Sequence, residues 1–141
     1  MPQISSSSSE RETAEAGAAL ARRLPPGAVV YVEGELGAGK TAFIRGAALA
    51  LGVDGPVTSP TFTVAHLYAG DQGPVAHLDL YRTQALGDED LADLEPYFDD
   101  VRATFIEWAV RGEGLLPAAD VRVLLRLAGD GVREIEIVAS Q

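Results

Sequence analysis

The stretch Gly34-Glu35-Leu36-Gly37-Ala38-Gly39-Lys40-Thr41 constrains this chain more than any other. It satisfies the pattern of glycine, four residues of any type, glycine, lysine and a hydroxyl residue that marks a phosphate-binding loop. Each fixed position has a physical task. The glycines let the backbone curl through conformations that a Cβ forbids, so that successive N–H groups converge into an anion-binding concavity. The Lys40 ammonium is suited to reach the β- and γ-phosphates, and the Thr41 hydroxyl to ligate Mg²⁺. The flanks are those the loop requires. Ala28-Val29-Val30-Tyr31-Val32 is a β-rich apolar run, and Thr41 to Leu51 carries Phe43, Ile44, Ala47, Ala48 and Leu51 at helical spacing before Gly52. The opposing reading is a glycine-rich turn with an incidental lysine, but Lys40 is the chain's one lysine and it falls at the motif position. The expectation is a nucleoside triphosphate site in an α/β, P-loop NTPase-like three-layer fold.

The rest of the chain supplies the sheet. Residues 1–8 hold most of a five-serine run and read as a disordered tail, leaving 9–141 as one P-loop domain. Ser9-Glu10-Arg11-Glu12 has the form of a capping box, opening a helix to about Leu24, where Pro25-Pro26 ends it. Ala16, Gly17, Leu20, Ala21 and Leu24 make its small-residue face. Thr63 to Tyr68 and Val75 to Tyr81 flank a turn and read as an antiparallel hairpin. Ala103 to Trp108 is a buried strand. Val121 to Leu127 and Val132 to Val138 flank Asp130-Gly131, a second hairpin, so the central sheet is expected to be mixed and flanked by helices. Between them, Asp88 to Asp100 carries seven acidic residues and no basic one, with Leu91, Leu94 and Phe98 interleaved. That pattern fits a solvated acidic helix or a docking surface for a basic partner.

Composition narrows the function. The formal net charge is −10, which argues against autonomous nucleic-acid binding, since that needs a basic patch to displace phosphate counterions. There is no cysteine, which removes disulfides, thiolate nucleophiles and Cys-ligated zinc. No apolar run approaches the ~18 residues of a membrane span, and the first residues lack the basic and apolar segments of a signal peptide. A cytoplasmic protein is expected.

A P-loop also needs a carboxylate at the end of a buried strand, to hold Mg²⁺ or its waters. Asp79 follows Val75-Ala76-His77-Leu78, and Glu107 follows Ala103-Thr104-Phe105-Ile106. Spacing does not choose between them, and either could be a surface carboxylate. A carboxylate after several buried apolar residues is costly unless paired, and two carboxylates allow two tasks, one at the metal and one positioning water. His77 could be a base, but a hydrogen-bonded structural role suits its strand position better. Trp108 is either core or a cover over the phosphate site, Thr13 either a solvated helix residue or a ligand contact. Arg82 and Arg111 are candidate charge-neutralising groups or ordinary surface arginines.

Taken together, Gly-Glu-Leu-Gly-Ala-Gly-Lys-Thr at 34–41, Ser-Pro-Thr-Phe-Thr at 59–63, His-Leu-Asp-Leu-Tyr-Arg at 77–82, Ile-Glu-Trp at 106–108 and Leu115-Leu116-Pro117 resemble the TsaE (YjeE) family, over nearly the whole chain. That family is the bacterial ATPase needed to make threonylcarbamoyladenosine on tRNA. The resemblance implies that Thr41 and Glu107 ligate Mg²⁺ and that Glu35, Leu36, Gly37, Ala38, Gly39, Lys40 and Thr41 cradle the ATP phosphates. It implies Thr13 near the base, Trp108 close to the nucleotide, Thr61 in a switch-like loop as a γ-phosphate sensor, and Asp79 as a catalytic or metal-sensing carboxylate. It also implies two partners, TsaB and TsaD, whose modifying activity the ATPase supports without performing the transfer. Val110 departs from the family, where many members have an acidic residue.

The alternative is a small-molecule kinase using the same loop. It needs an acceptor pocket and an arginine-bearing lid, and the segment between Arg82 and Glu107 is acidic instead. A GTPase is disfavoured because the chain has no asparagine for a guanine-reading Asn-Lys-x-Asp motif.

Overall fold

Strands with no polar face have to be buried on both sides, and Ala28–Gly34 (β2) and Ala103–Glu107 (β5) are: the first five residues of β2 and all of β5 are buried. The structure is a computed structural model and describes residues 2–35, 37–57, 65–81, 94–112 and 116–140, with backbone alone at 111 and 112. The other strands are Gln3–Ser7 (β1), Ala65–Tyr68 (β3), Val75–Asp79 (β4), Val121–Gly129 (β6) and Val132–Ala139 (β7). They form one seven-stranded sheet in the order β1-β7-β6-β2-β5-β4-β3. The inner four, β6, β2, β5 and β4, are parallel, and both edges are antiparallel. The expected mixed P-loop-like sheet and both hairpins are therefore present. The β6–β7 hairpin turns on Asp130 and Gly131, both at positive φ, the conformation an Asp-Gly turn supplies.

Helices Glu10–Ala21 (α1) and Lys40–Ala50 (α2) lie on one face. Leu20, Ala21 and Leu24 join Phe43, Ile44, Ala47 and Ala48 over Val30, Val32, Phe105, Val123 and Leu125. The other face packs Tyr31, Leu78 and Ile106 against Leu94, Ala109 and Ala119, from the segments around the 3₁₀ turns Glu95–Tyr97 and Ala109–Gly112. The small-residue face of α1 has a more specific use than general packing on a sheet. A Cβ at Gly17 would strike the Phe43 carbonyl, and one at Gly46 the Ala14 carbonyl, so each helix presents bare backbone to the other.

Three expectations change. The expected tail at 1–8 is not disordered over Gln3–Ser7, which pairs antiparallel with Arg133–Ile137 as an edge strand. The serine run hides this because four of the five β1 residues are exposed, so no apolar alternation betrays the strand; the open edge of β7 selects it. Helix α1 ends at Ala21, ahead of Leu24, as the chain tightens through Arg23 N–H to Leu20 O and Leu24 N–H to Ala21 O. Ser9 caps it by accepting from Glu12 N–H, but the Glu12 carboxylate reaches back to Ser8 rather than to Ser9. Residues 82–93 of the acidic segment lie outside the described residues. No helix among the described residues is long and apolar enough to cross a membrane.

Candidate functional site

The parallel register brings three strand ends level. Val32 of β2 stands beside Glu107 of β5, and Glu107 beside Asp79 of β4. Alternation puts Asp79 and Glu107 on the same face as Val75 and Phe105, the face that carries α2. The loop from Gly34 to Lys40 thus opens at the carboxyl ends of the parallel strands, where α/β sheets present their ligand sites.

Gly39 caps α2 with φ 103°, a left-handed conformation, and offers no side chain to its first-turn N–H groups. The first α-helical bond below the cap is Phe43 N–H to Gly39 O, 3.0 Å. A helix N-terminus of this kind favours negative charge. Ala38, wholly buried, sits in the loop with its N–H on Glu35 O at 3.1 Å. Lys40 is 6% exposed. Its Nζ donates to Gly34 O at 2.5 Å and Glu35 O at 3.1 Å, and lies 4.6 Å from the centroid of the Trp108 ring. Burial lowers its pKa from the usual lysine value, opposed by the charges of Glu107 and Asp79.

Trp108 takes a left-handed backbone at φ 59° and packs against Tyr81 with ring centroids 4.9 Å apart. A bulky residue in that region is strained, and its ring lies over the lysine. The ring thus both packs against the core on the face of the sheet opposite α2 and lies over Lys40 Nζ.

Glu107 is 3% exposed, and His77, with 0% exposure, approaches it at 2.6 Å, Nε2 to Oε2. The structural reading of His77 therefore holds, through a specific partner. Asp79 accepts from Tyr81 N–H at 3.0 Å. Burial raises its pKa above the ordinary carboxylate value; Glu107 adds to this, while the Tyr81 bond, His77 and Lys40 oppose it. No cluster of three acidic or histidine side chains able to hold a metal occurs among the described residues. Magnesium shared between one or two carboxylates, waters and substrate phosphates needs no such cage, and Thr41, in the first turn of α2, and Glu107 fit that donor set.

Thr13 is not solvated. It is 0% exposed, its hydroxyl is hydrogen-bonded to that of Ser7 at 2.6 Å, and Ser9 O accepts from whichever of the two keeps its proton free. Its methyl group borders Gly39, where an added Cβ would come within 3.4 Å. Thr13 thus stands against the loop. Leu36, Thr61, Arg82 and the Arg111 side chain lie outside the described residues.

Two residues escape the sequence reading. Arg133 reaches from β7 to the loop, donating from Nη2 to Gly37 O at 3.2 Å, with Cδ and Nε against Gly39. Ser7, buried at the end of β1, pairs in register with Arg133 and bonds Thr13. Only the β1–β7–β6 register could have brought them here, and no local pattern encodes it.

The family model described as "Threonylcarbamoyl adenosine biosynthesis protein TsaE" matches residues 7–135. The chain is 39% identical over 139 residues to the tRNA threonylcarbamoyladenosine biosynthesis protein TsaE of Treponema pallidum, covering 93% of this chain and 96% of that one. It is 41% identical over 114 residues to the protein of the same name from Bacillus subtilis, covering 81% and 71% respectively. The crystal structure of Bacillus subtilis YdiB matches with a TM-score of 0.80 and 32% identity, covering 100% of this chain and 87% of that chain. By a family match over most of its length and by these relatives, this chain belongs to the TsaE family.

Proposed function

We propose that this protein binds ATP with Mg²⁺ and hydrolyses it slowly, and that hydrolysis supports formation of N6-threonylcarbamoyladenosine at A37 of tRNA by a TsaB–TsaD partner complex. The observation that carries the reading is Lys40. It is buried at the entrance of α2, beside the Trp108 ring and within the field of Glu107 and Asp79, an arrangement suited to a polyphosphate and its metal.

In this reading Glu35, Leu36, Gly37, Ala38 and Gly39 wrap the phosphates with backbone N–H groups, and Lys40 neutralises the β- and γ-phosphates. Thr41 and Glu107 hold Mg²⁺, which when bound screens the phosphate charge and orients the γ-phosphoryl group. Asp79, with its raised pKa, orients the attacking water and takes up its proton. Thr61 senses the γ-phosphate, Trp108 shields the site, and Thr13 borders the base. A slow basal rate follows from the position of Lys40: its ammonium is bonded to Gly34 O and Glu35 O, and those contacts have to be exchanged for phosphate. A partner that closes over Trp108 would favour the exchange.

The test is phosphate release from ATP with and without the TsaB and TsaD homologues, with Lys40→Ala and Glu107→Ala as controls. Stimulation of the wild type by the partners and loss in both variants is expected. Rapid turnover without partners, or phosphate appearing on a small acceptor as for a kinase, would overturn the proposal.

A further inference from the structure

We propose that His77 is a positioning residue for Glu107: its Nε2–H fixes the carboxylate in the orientation that receives the divalent cation. The inference rests on the reading of Glu107 as a metal ligand and extends it to a residue that touches neither metal nor nucleotide.

The geometry begins with the strands. In the β4–β5 register His77 stands beside Phe105 and Asp79 beside Glu107, so His77 and Glu107 are diagonal neighbours on one face, within reach of long side chains. Their separation of 2.6 Å is short for a nitrogen–oxygen bond and fits a donor facing a carboxylate. The tautomer follows from the other ring nitrogen. Nδ1 is buried and has no hydrogen-bond partner among the described residues. A proton there would be a buried, unsatisfied donor, whereas a bare lone pair is tolerated more easily. The proton therefore belongs on Nε2, where it points at Oε2.

That bond does two things for Glu107. It supplies a donor to a carboxylate that is almost wholly out of water. It also fixes the rotation of the carboxylate plane at the end of β5. A metal ligand gains affinity when its orientation is set before the ion arrives, and outer partners of this kind are worth about 10–100-fold in metal affinity. A histidine in fully buried packing at the centre of a strand, at 0% exposure, is well placed for this because its own ring cannot turn. A residue that only filled space would satisfy neither the short distance nor the directional donor.

The experiment is calorimetric titration of the full chain with a non-hydrolysable ATP analogue, in Mg²⁺ and in EDTA. His77→Leu removes the donor at similar volume, and His77→Gln retains an amide donor near the Nε2 position. The ratio of the two affinities isolates the metal's contribution. His77→Leu is expected to lower that ratio about tenfold while changing the EDTA affinity less than about twofold, and His77→Gln to restore it to within about threefold of wild type. Should His77→Leu fail to fold, His77→Asn, whose amide is too short to reach Glu107, takes its place with the same expectation. An unchanged ratio in the donor-less variant, or an equal loss in Mg²⁺ and EDTA, overturns the positioning role while the wild-type metal dependence stands. If the wild type itself shows no Mg²⁺ enhancement, the metal-ligand reading of Glu107 falls, and the role of His77 with it.

Discussion

Replacing Gly46 by alanine sets two effects against each other, and the structure decides the sign. Helix propensity alone favours the change by about 1 kcal/mol, because glycine inside a helix carries excess backbone entropy in the unfolded chain. Packing opposes it. A Cβ at Gly46 would fall on the Ala14 carbonyl, well inside the 3.0 Å that real Cβ atoms respect, and that neighbour is rigid backbone rather than a side chain with another rotamer. Relief requires α1 and α2 to separate by about 1 Å, loosening the buried contacts of Leu20, Phe43 and Ala47; overpacking of this kind costs about 1–3 kcal/mol. With backbone on both sides the upper end applies, so the net loss is about 2 kcal/mol, or roughly 6 °C in melting temperature for a domain of this size. Urea unfolding of Gly46→Ala reads it directly, with the midpoint lowered and the slope unchanged. Gly17 makes the reciprocal contact with Phe43 O, so the double variant Gly17→Ala/Gly46→Ala is expected to cost less than the sum of the two, the helices having already parted. A Gly46→Ala protein as stable as wild type, or more stable, would refute the close-contact argument.

Three further outcomes are expected. Thr13→Val keeps the shape beside Gly39 but loses the hydroxyl shared with Ser7, costing about 1 kcal/mol and speeding amide hydrogen exchange in β1 relative to β6; unchanged exchange in β1 counts against the link. At Trp108, where φ is 59°, Gly should be more stable than Ala by about 1 kcal/mol, a difference measured between the two variants in urea; equal stability would mean the left-handed conformation is not strained. Asp79 has a raised pKa in the folded protein, chiefly from burial. Its native state binds the proton more tightly than the unfolded chain, so the metal-free protein loses stability as pH rises from about 4 through the raised value. Asp79→Asn should remove that loss and stabilise the metal-free protein at pH 7, by less than about 1 kcal/mol because the group is half-exposed and screened. A stability profile above pH 4 identical to wild type would show that the carboxylate is not penalised.

The parts of the site that could be read in advance are those whose chemistry is written locally. A phosphate loop needs its glycines, lysine and hydroxyl in fixed order, and the strands leading to Asp79 and Glu107 announce themselves as mostly apolar runs broken only by His77 and Thr104. That the two carboxylates stand side by side depends on the β4–β5 register, which no local pattern encodes. Thr13 was ambiguous because its burial depends on Ser7, and Ser7 was missed because an exposed edge strand made mostly of serine has no periodic signature. Arg133 carries no local signal; the place of β7 in the sheet brings its guanidinium to Gly37.

The pairing of β1 with β7 has a consequence for the newly made chain. The first strand of the sheet finds its place only against the last. Through Ser7, Thr13 and Arg133 that same pairing braces the loop at Gly37 and Gly39. As the ribosome extends the chain from its amino end, the P-loop emerges early, yet its lateral brace arrives only when β7 has been translated. Until then β1 lacks its pairing strand and Gly39 lacks the Arg133 side chain beside it. Competence to grip a nucleotide is thereby tied to completion of the hairpin, and a chain truncated before Val132 retains the motif without the support that shapes it.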